Sequence, residues 1–221
     1  MQTHKLLSFS LWGNDPKYIE GMRRNIDLAL FWYPGWEIVV CAGEEVPDLG
    51  PNVTQRTYYN SQLGCFWRIG ECFRSDDISI ACVRDADSRI GEREREAVAE
   101  FEASWSTLHV MRDHPAHAGI LGGMWGCRPK LLDRFQIVTD MIEWQEDIRS
   151  AGPNRPRLPY EGRFGKWSDQ PFLQRKIFDK VSPLERMVHD YRNGSFKIPR
   201  IDEYDFVGQV CSATGERKYK L

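Results

Sequence analysis

Two aspartates separated by one residue, Asp85 and Asp87, stand in the string Arg84-Asp85-Ala86-Asp87-Ser88-Arg89, directly after the apolar run Ile78-Ser79-Ile80-Ala81-Cys82-Val83. In an extended chain, residues i and i+2 point to the same side. Two carboxylates would therefore converge just past the carboxyl end of a buried strand, the edge at which open α/β sheets bind ligands. Like charges at that spacing are unfavourable unless one is protonated or a cation lies between them. A hard divalent ion, Mn²⁺ or Mg²⁺, shared with a diphosphate resolves the conflict. An acidic turn whose aspartates cap the next segment is the plain alternative. Arg84 and Arg89 flank the pair, either as phosphate ligands or as neutralising charges.

Such a pair needs a scaffold, and periodicity outlines one. Residues 5–12 read as a strand ending at Gly13. Asn14-Asp15-Pro16 then starts a helix, with Asp15 as cap and Pro16 at the first position. Ile19, Met22, Ile26 and Leu30 follow at helical spacing until Pro34-Gly35 stops it. Glu37-Ile38-Val39-Val40-Cys41 is a strand of the buried, parallel-sheet kind, and the resulting β-α-β unit opens a nucleotide-binding α/β half. The pattern then predicts a strand over 53–58, a helix over 61–73, a strand over 77–84, a charged helix from Glu92 to Ser104 and a strand from Thr107 to Met111. Glycine-rich 119–126 reads as an irregular strand or bulge. One long helix runs from Pro129 to about Ser150, followed by a proline-, glycine- and arginine-rich loop over 151–166. Ser168-Asp169-Gln170-Pro171 caps a helix to about Phe178, and short strands are possible near 186–191 and 204–211. The whole reads as one αβα domain with a Rossmann-like, mixed but mostly parallel sheet and a loop-rich C-terminal part.

Composition sets the outer bounds. The chain has 221 residues, 41% hydrophobic and 28% charged, values of an ordinary soluble globular domain. A net charge of −2 argues against a general binder of nucleic acid or anionic membranes. An anionic ligand must then be held by a local cluster or a metal. The apolar stretch Leu6–Trp12 is too short and interrupted for a signal peptide, and no run approaches the ~18 apolar residues of a transmembrane segment. Six scattered cysteines without C-x-x-C spacing read as free buried thiols of a reducing, cytoplasmic compartment.

An ordered series of motifs carries a resemblance. Phe66-Trp67-Arg68, the Arg84–Arg89 string, Met111-Arg112-Asp113-His114-Pro115, Leu121-Gly122-Gly123-Met124-Trp125-Gly126, Trp167-Ser168-Asp169-Gln170 and Asp205-Phe206-Val207-Gly208-Gln209 together resemble a family of small GT-A-type glycosyltransferase domains found in bacteria and large algal (chlorella) viruses. The resemblance implies a single GT-A-like domain over 1–221, with a nucleotide-sugar-binding half at 1–112 and an acceptor-side half at 113–221. It implies a nucleotide-sugar donor, usually a UDP sugar, with Mn²⁺ or Mg²⁺ on Asp85 and Asp87. His189 stands where many such enzymes place a C-terminal histidine that completes the metal site, and imidazole suits Mn²⁺ better than Mg²⁺; a surface or capping role is the other reading. Leu11 and Trp12 fall at the strand end where these domains hold the nucleobase, with core packing as the rival. Arg68 and Arg84 join Asp85 on the donor side. Gly122 and Gly123 offer unobstructed backbone, and Trp125 with Met124 offers an apolar platform for a sugar ring, with core packing as the rival. Gln170 would belong to the acceptor side, and His114 to an acceptor contact or a plain loop hydrogen bond. Asp169, at a helix start whose dipole favours an ionised carboxylate, would deprotonate an acceptor hydroxyl or orient the donor sugar. The 151–166 loop, with Arg155, Arg157, Arg163 and Lys166, would either fold over the diphosphate as a lid or form a solvated connection.

The expected activity is transfer of a sugar from a nucleotide diphosphate sugar to a hydroxyl of a glycan or other acceptor. Haloacid-dehalogenase-like phosphatases also place D-x-D-x-[ST] after an apolar strand, as Asp85-Ala86-Asp87-Ser88 does. They carry it on their first strand, whereas here a β-α-β unit precedes it. A non-catalytic nucleotide-sugar- or carbohydrate-binding domain is the third reading.

Overall fold

The computed structural model describes residues 4–59, 61–151 and 168–220. Residues 152–167, which include Trp167 and the four basic residues of the expected lid, lie outside that set. The strands are β1 His4–Leu11, β2 Glu37–Gly43, β3 Thr54–Tyr58, β4 Ile78–Arg84, β5 Leu108–Arg112, β6 Met124–Cys127 and β7 Arg186–Asp190. The α-helices are α1 Pro16–Trp32, α2 Trp67–Cys72, α3 Glu92–Ala103, α4 Arg134–Ala151 and α5 Asp169–Phe172. The strands form one seven-stranded sheet in the order β3-β2-β1-β4-β6-β5-β7. β6 runs antiparallel to both neighbours, and every other pairing is parallel.

Central strands are buried on both faces, so they read as continuous apolar runs. In β1, Leu6 joins the core under α2, α4 and α5 with Val39, Val83, Val110, Trp125 and Phe172. Its neighbour Leu7 joins the core under α1 and α3 with Met22, Ile26, Val40, Cys82, Val98 and Phe101. α1 forms as its sequence dictates: the Asp15 carboxylate accepts the Lys17 N–H at 2.9 Å, Pro16 occupies the first turn, and Met22, Ile26 and Ala29 are buried.

Three elements differ from the sequence reading. The long helix is split: Pro129–Leu131 is a 3₁₀ turn, Leu132 is extended, and α4 starts only at Arg134. Asp133 causes the restart, its carboxylate accepting the Gln136 N–H at 3.0 Å. The helix after Ser168 keeps its α form only to Phe172, then widens into a π turn over Leu173–Ile177. No strand forms at 204–211, where only Cys211 makes an isolated bridge, to Arg217. There Gly208 takes φ +84°, and a Cβ on it would overlap Met124. Side-chain closure, not strand pairing, sets that segment.

The chain runs from β1 outward through β2 and β3, then crosses back to lay β4 on β1's other side. The crevice beyond the carboxyl ends of β1 and β4 is therefore a topological switch point, the usual ligand position in open α/β sheets.

Candidate active site at the carboxyl edge of the sheet

Arg68, on the first turn of α2, is the hub of this crevice. Two serines of β1 on one face of the strand fix its backbone: the Ser10 hydroxyl accepts the Arg68 N–H at 3.0 Å, and the Ser8 hydroxyl donates to the Arg68 carbonyl at 2.9 Å. Its guanidinium is buried. Nη1 donates to the Arg84 carbonyl at 2.9 Å and to Asp85 Oδ1 at 2.5 Å, and Nη2 donates to Asp169 Oδ2 at 3.2 Å. The guanidinium thus ties α2 to the end of β4 and to α5 by charge-assisted bonds.

The glycine pair closes the same spot. A Cβ on Gly122 would overlap Asp169 Oδ2 and lie 2.8 Å from Arg68 Nη2, and one on Gly123 would overlap the Asp85 carboxylate. Only glycine allows the backbone so near both acids. Asp169 is fully enclosed. Burial pushes its carboxyl above the usual range, and the Arg68 charge opposes that shift. The expected dipole-held, low-pKa aspartate is thereby corrected: α5 has a single turn of α-helix, Ser168 is itself helical and makes no capping bond, and desolvation dominates.

The acidic pair also departs from strand geometry. β4 ends at Arg84, and Ala86-Asp87-Ser88 is a turn, so the alternation that would align the two side chains does not hold. Asp85 takes Arg68 as its partner, while Asp87 Oδ2 accepts Lys17 Nζ at 2.6 Å. The turn itself is held by Asn25 of α1. Its Nδ2 donates to the Ser88 carbonyl at 2.8 Å, with longer contacts to the Asp85 and Ala86 carbonyls at 3.3 and 3.4 Å. A Cβ on Gly21 would overlap the Ala86 carbonyl. Sequence reasoning missed Asn25, Gly21 and Lys17. Asn25 left a signal: an amide between Met22 and Ile26, on the apolar face of an amphipathic helix.

Arg84 does not belong to this site. Its side chain crosses to the α3 face, where Nε donates to Glu94 at 2.6 Å and Nη1 to the Trp125 carbonyl at 2.9 Å. Arg89 donates to carbonyls of its own turn, Ser88 at 2.8 Å and Ala86 at 3.3 Å.

At the end of β1, Leu11 is core, whereas Trp12 is 38% exposed. Trp12 lies over Gly64, where a Cβ would come within 2.7 Å of the ring. It meets Trp67 edge-on at 6.1 Å, and Trp67 stacks on Tyr58 at 5.1 Å. Beside it the Gly13 amide donates to the Glu45 carboxylate, a bond that lowers the Glu45 carboxyl below the usual range. Glu45 was not foreseen.

The structure keeps His189 apart from the acidic pair. Its strand β7 is separated from β4 by β6 and β5, three spacings of about 4.8 Å or roughly 14 Å. The ring packs on the α3 face, with Nδ1 2.9 Å from His109 Nε2, Nε2 3.7 Å from Glu100 and the ring against Phe196. Burial pushes both imidazoles below their ordinary value. Trp125 is fully buried, and its indole N–H donates to the Gly122 carbonyl at 3.2 Å, so it supports the glycine pair instead of presenting a sugar platform. His114 binds the Lys220 carbonyl at 2.8 Å and packs on Phe206. Gln170 sits half-buried next to Asp169 on α5.

Among the described residues no three His, Cys, Asp or Glu side chains gather as a metal cage. The donor set nonetheless fits one kind of ion. Asp85 and Asp87 are hard oxygen ligands one residue apart just past β4, and among the described residues each has one oxygen in an ion pair. Mg²⁺ or Mn²⁺ bound through one or two carboxylates, keeping waters and taking phosphate oxygens from a substrate, suits that set.

The mixed, mostly parallel seven-stranded sheet with helices on both faces is a single α/β domain with a GT-A-like fold. No protein-family model and no curated protein matches the sequence. Among solved structures, the chain is similar to the apo form of the glycosyltransferase GlyE of Streptococcus pneumoniae TIGR4, at 13% identity and TM-score 0.54, covering 84% of this chain and 45% of that one. A second GlyE structure gives 12% identity and TM-score 0.51 over 90% and 52% of the two chains. A putative nucleotide-diphospho-sugar transferase from Desulfovibrio desulfuricans G20 gives 11% and 0.49 over 86% and 80%. The chain spans about half the length of GlyE, and the likeness is one of fold.

Proposed function

We propose that this chain is a glycosyltransferase that moves a sugar from a nucleotide diphosphate sugar, a UDP sugar in the simplest case, to an acceptor hydroxyl in the cytoplasm. The observation that carries the reading is the convergence of Arg68, Asp85, Asp169 and the Gly122–Gly123 backbone at the switch point of a GT-A-type sheet. Trp12 with its Trp67–Tyr58 stack provides an aromatic surface for the base at the end of β1.

Asp85 and Asp87 would hold a divalent cation, whose chemistry there would be to neutralise charge on a leaving diphosphate. Arg68 keeps Asp85 oriented and places a fixed positive charge behind it. The Gly122–Gly123 backbone lets a sugar ring come close to both acids. Asp169, with its carboxyl raised by burial, accepts the proton of the acceptor hydroxyl; a base nearer neutrality removes that proton more effectively than an ordinary aspartate. Its bond to Arg68 holds it in place in the free enzyme.

The test is calorimetric titration and hydrolysis of a panel of nucleotide sugars with and without Mn²⁺, beside phosphomonoesters. At least one nucleotide sugar should bind and turn over only with metal, and phosphomonoesters should not. Asp87→Ala should lose the metal-dependent part; normal metal-dependent donor binding in that variant would falsify the assignment.

A further inference from the structure

Each aspartate of the pair already carries a cation of this chain, and the two cations are not equivalent. Arg68 is locked: its backbone is tied to Ser8 and Ser10, its guanidinium to the Arg84 carbonyl, Asp85 and Asp169, and it is buried. Withdrawing it would strand charges in a desolvated place. Lys17 stands on the first turn of α1 with its side chain 26% exposed, reaching Asp87 Oδ2 at 2.6 Å and lying over the Tyr18 ring at 4.6 Å. Its ammonium is a compact charge on a flexible four-carbon stem, and the part-buried pair it makes is nearer to water than the Arg68 guanidinium, whose side chain is 8% exposed. It can leave.

The charges explain why that matters. Asp85 and Asp87 balance Arg68 and Lys17, and Asp169, the second acid on Arg68, adds one negative charge to the set. A divalent cation alone would shift the set by two positive charges, and the diphosphate of a nucleotide sugar alone by two negative ones. The two together leave the net charge as it was, and Lys17, released from Asp87, is free to meet a phosphate oxygen.

We propose that Lys17 is the resident counter-ion of Asp87, displaced only when a divalent cation arrives with a nucleoside diphosphate, so that metal and donor bind as a coupled pair. This rests on the transferase reading above. The coupling is reciprocal: whatever factor the diphosphate adds to metal affinity, the metal adds to diphosphate affinity. Lys17 is then a positioning residue that keeps the free enzyme from binding the metal productively by itself.

The experiment measures free Mn²⁺ by its paramagnetic resonance signal in titrations of the wild type, Lys17→Met and Lys17→Arg, each with and without UDP. The wild type should bind Mn²⁺ weakly alone and much more tightly with UDP. Lys17→Met should bind Mn²⁺ alone about tenfold more tightly, equivalent to about 1.4 kcal/mol, and the gain from UDP should shrink. Lys17→Arg, which keeps the charge and guards against a folding artefact, should behave as the wild type does. Equal affinity for Mn²⁺ alone in wild type and Lys17→Met overturns the inference, and so does Mn²⁺ binding to none of the proteins at millimolar concentration. Failure of UDP to tighten Mn²⁺ binding in the wild type instead removes UDP as the nucleotide of the transferase reading, while the metal-only comparison still decides the role of Lys17.

Discussion

Two buried arginines a few ångströms apart do different work. Arg84 ends β4 and points to the α3 face, where it meets one carboxylate, Glu94, which also accepts the Tyr33 hydroxyl at 2.9 Å. That cluster is electrically closed and shut off from water. Arg68, whose guanidinium touches the Arg84 carbonyl, meets two carboxylates, and one of them, Asp85, has a side chain 38% exposed. A buried arginine with one acid locks a fold. A buried arginine with two acids, one of them open to solvent and backed by glycine, leaves surplus negative charge facing a crevice, and that surplus recruits cations and accepts protons.

The sharpest way to break this contrast is to remove charge from each cluster in turn. Asp169→Asn should lower turnover by about 10²–10⁴-fold, the size of a lost general base. Stability should not fall at neutral pH. The sign follows from the raised carboxyl: the folded state favours its protonated form, so its stabilising contribution is present at low pH and lost as pH rises through the raised value. For the same reason the wild type should lose activity on acidification at a higher pH than an ordinary aspartate would give. A pH–rate profile for the wild type and urea unfolding of both proteins check this; an unchanged turnover number in Asp169→Asn would remove the base from the mechanism.

Glu94→Ala should show the opposite profile. It leaves Arg84 buried and unpaired, at a cost of about 3–5 kcal/mol in unfolding free energy, with donor affinity per folded molecule near that of the wild type. Gly123→Ala falls between the two. Its methyl must displace the Asp85 carboxylate, at a cost of about 1–3 kcal/mol, and Mn²⁺-dependent donor binding should weaken along with stability; a variant with wild-type affinity would show that Asp85 tolerates relocation. Trp12→Ala should have the smallest effect, about 0.5–1.5 kcal/mol of donor affinity for a lost aromatic contact, read by calorimetry with UDP and absent with inorganic diphosphate.

Much of the scaffold was legible because it is local. The Asp15-Pro16 start and the Met22–Ile26–Ala29 stripe specify α1 without reference to anything distant, and the apolar runs of β1, β2 and β4 announce strands covered on both faces. The readings that failed needed knowledge of a neighbour. Asp133 looks like one polar residue inside a helix until its capping bond to Gln136 is seen. Leu11 and Trp125 resemble site residues in a motif, yet both are core.

The sequence by itself determined the α/β class, the order of the elements and the presence of an acidic pair just past a buried strand, because propensity, capping and hydrophobic period act over a few residues. Only the tertiary structure decided which groups meet. Arg68 and Asp169 lie far apart in the chain and join at 3.2 Å; Asp85 and Asp87, two residues apart, take different partners; and His189 is carried three strands away from them. Sheet order and the face a side chain takes at a strand's end are set by long-range packing, and a one-residue change in where β4 stops redirects every side chain after it.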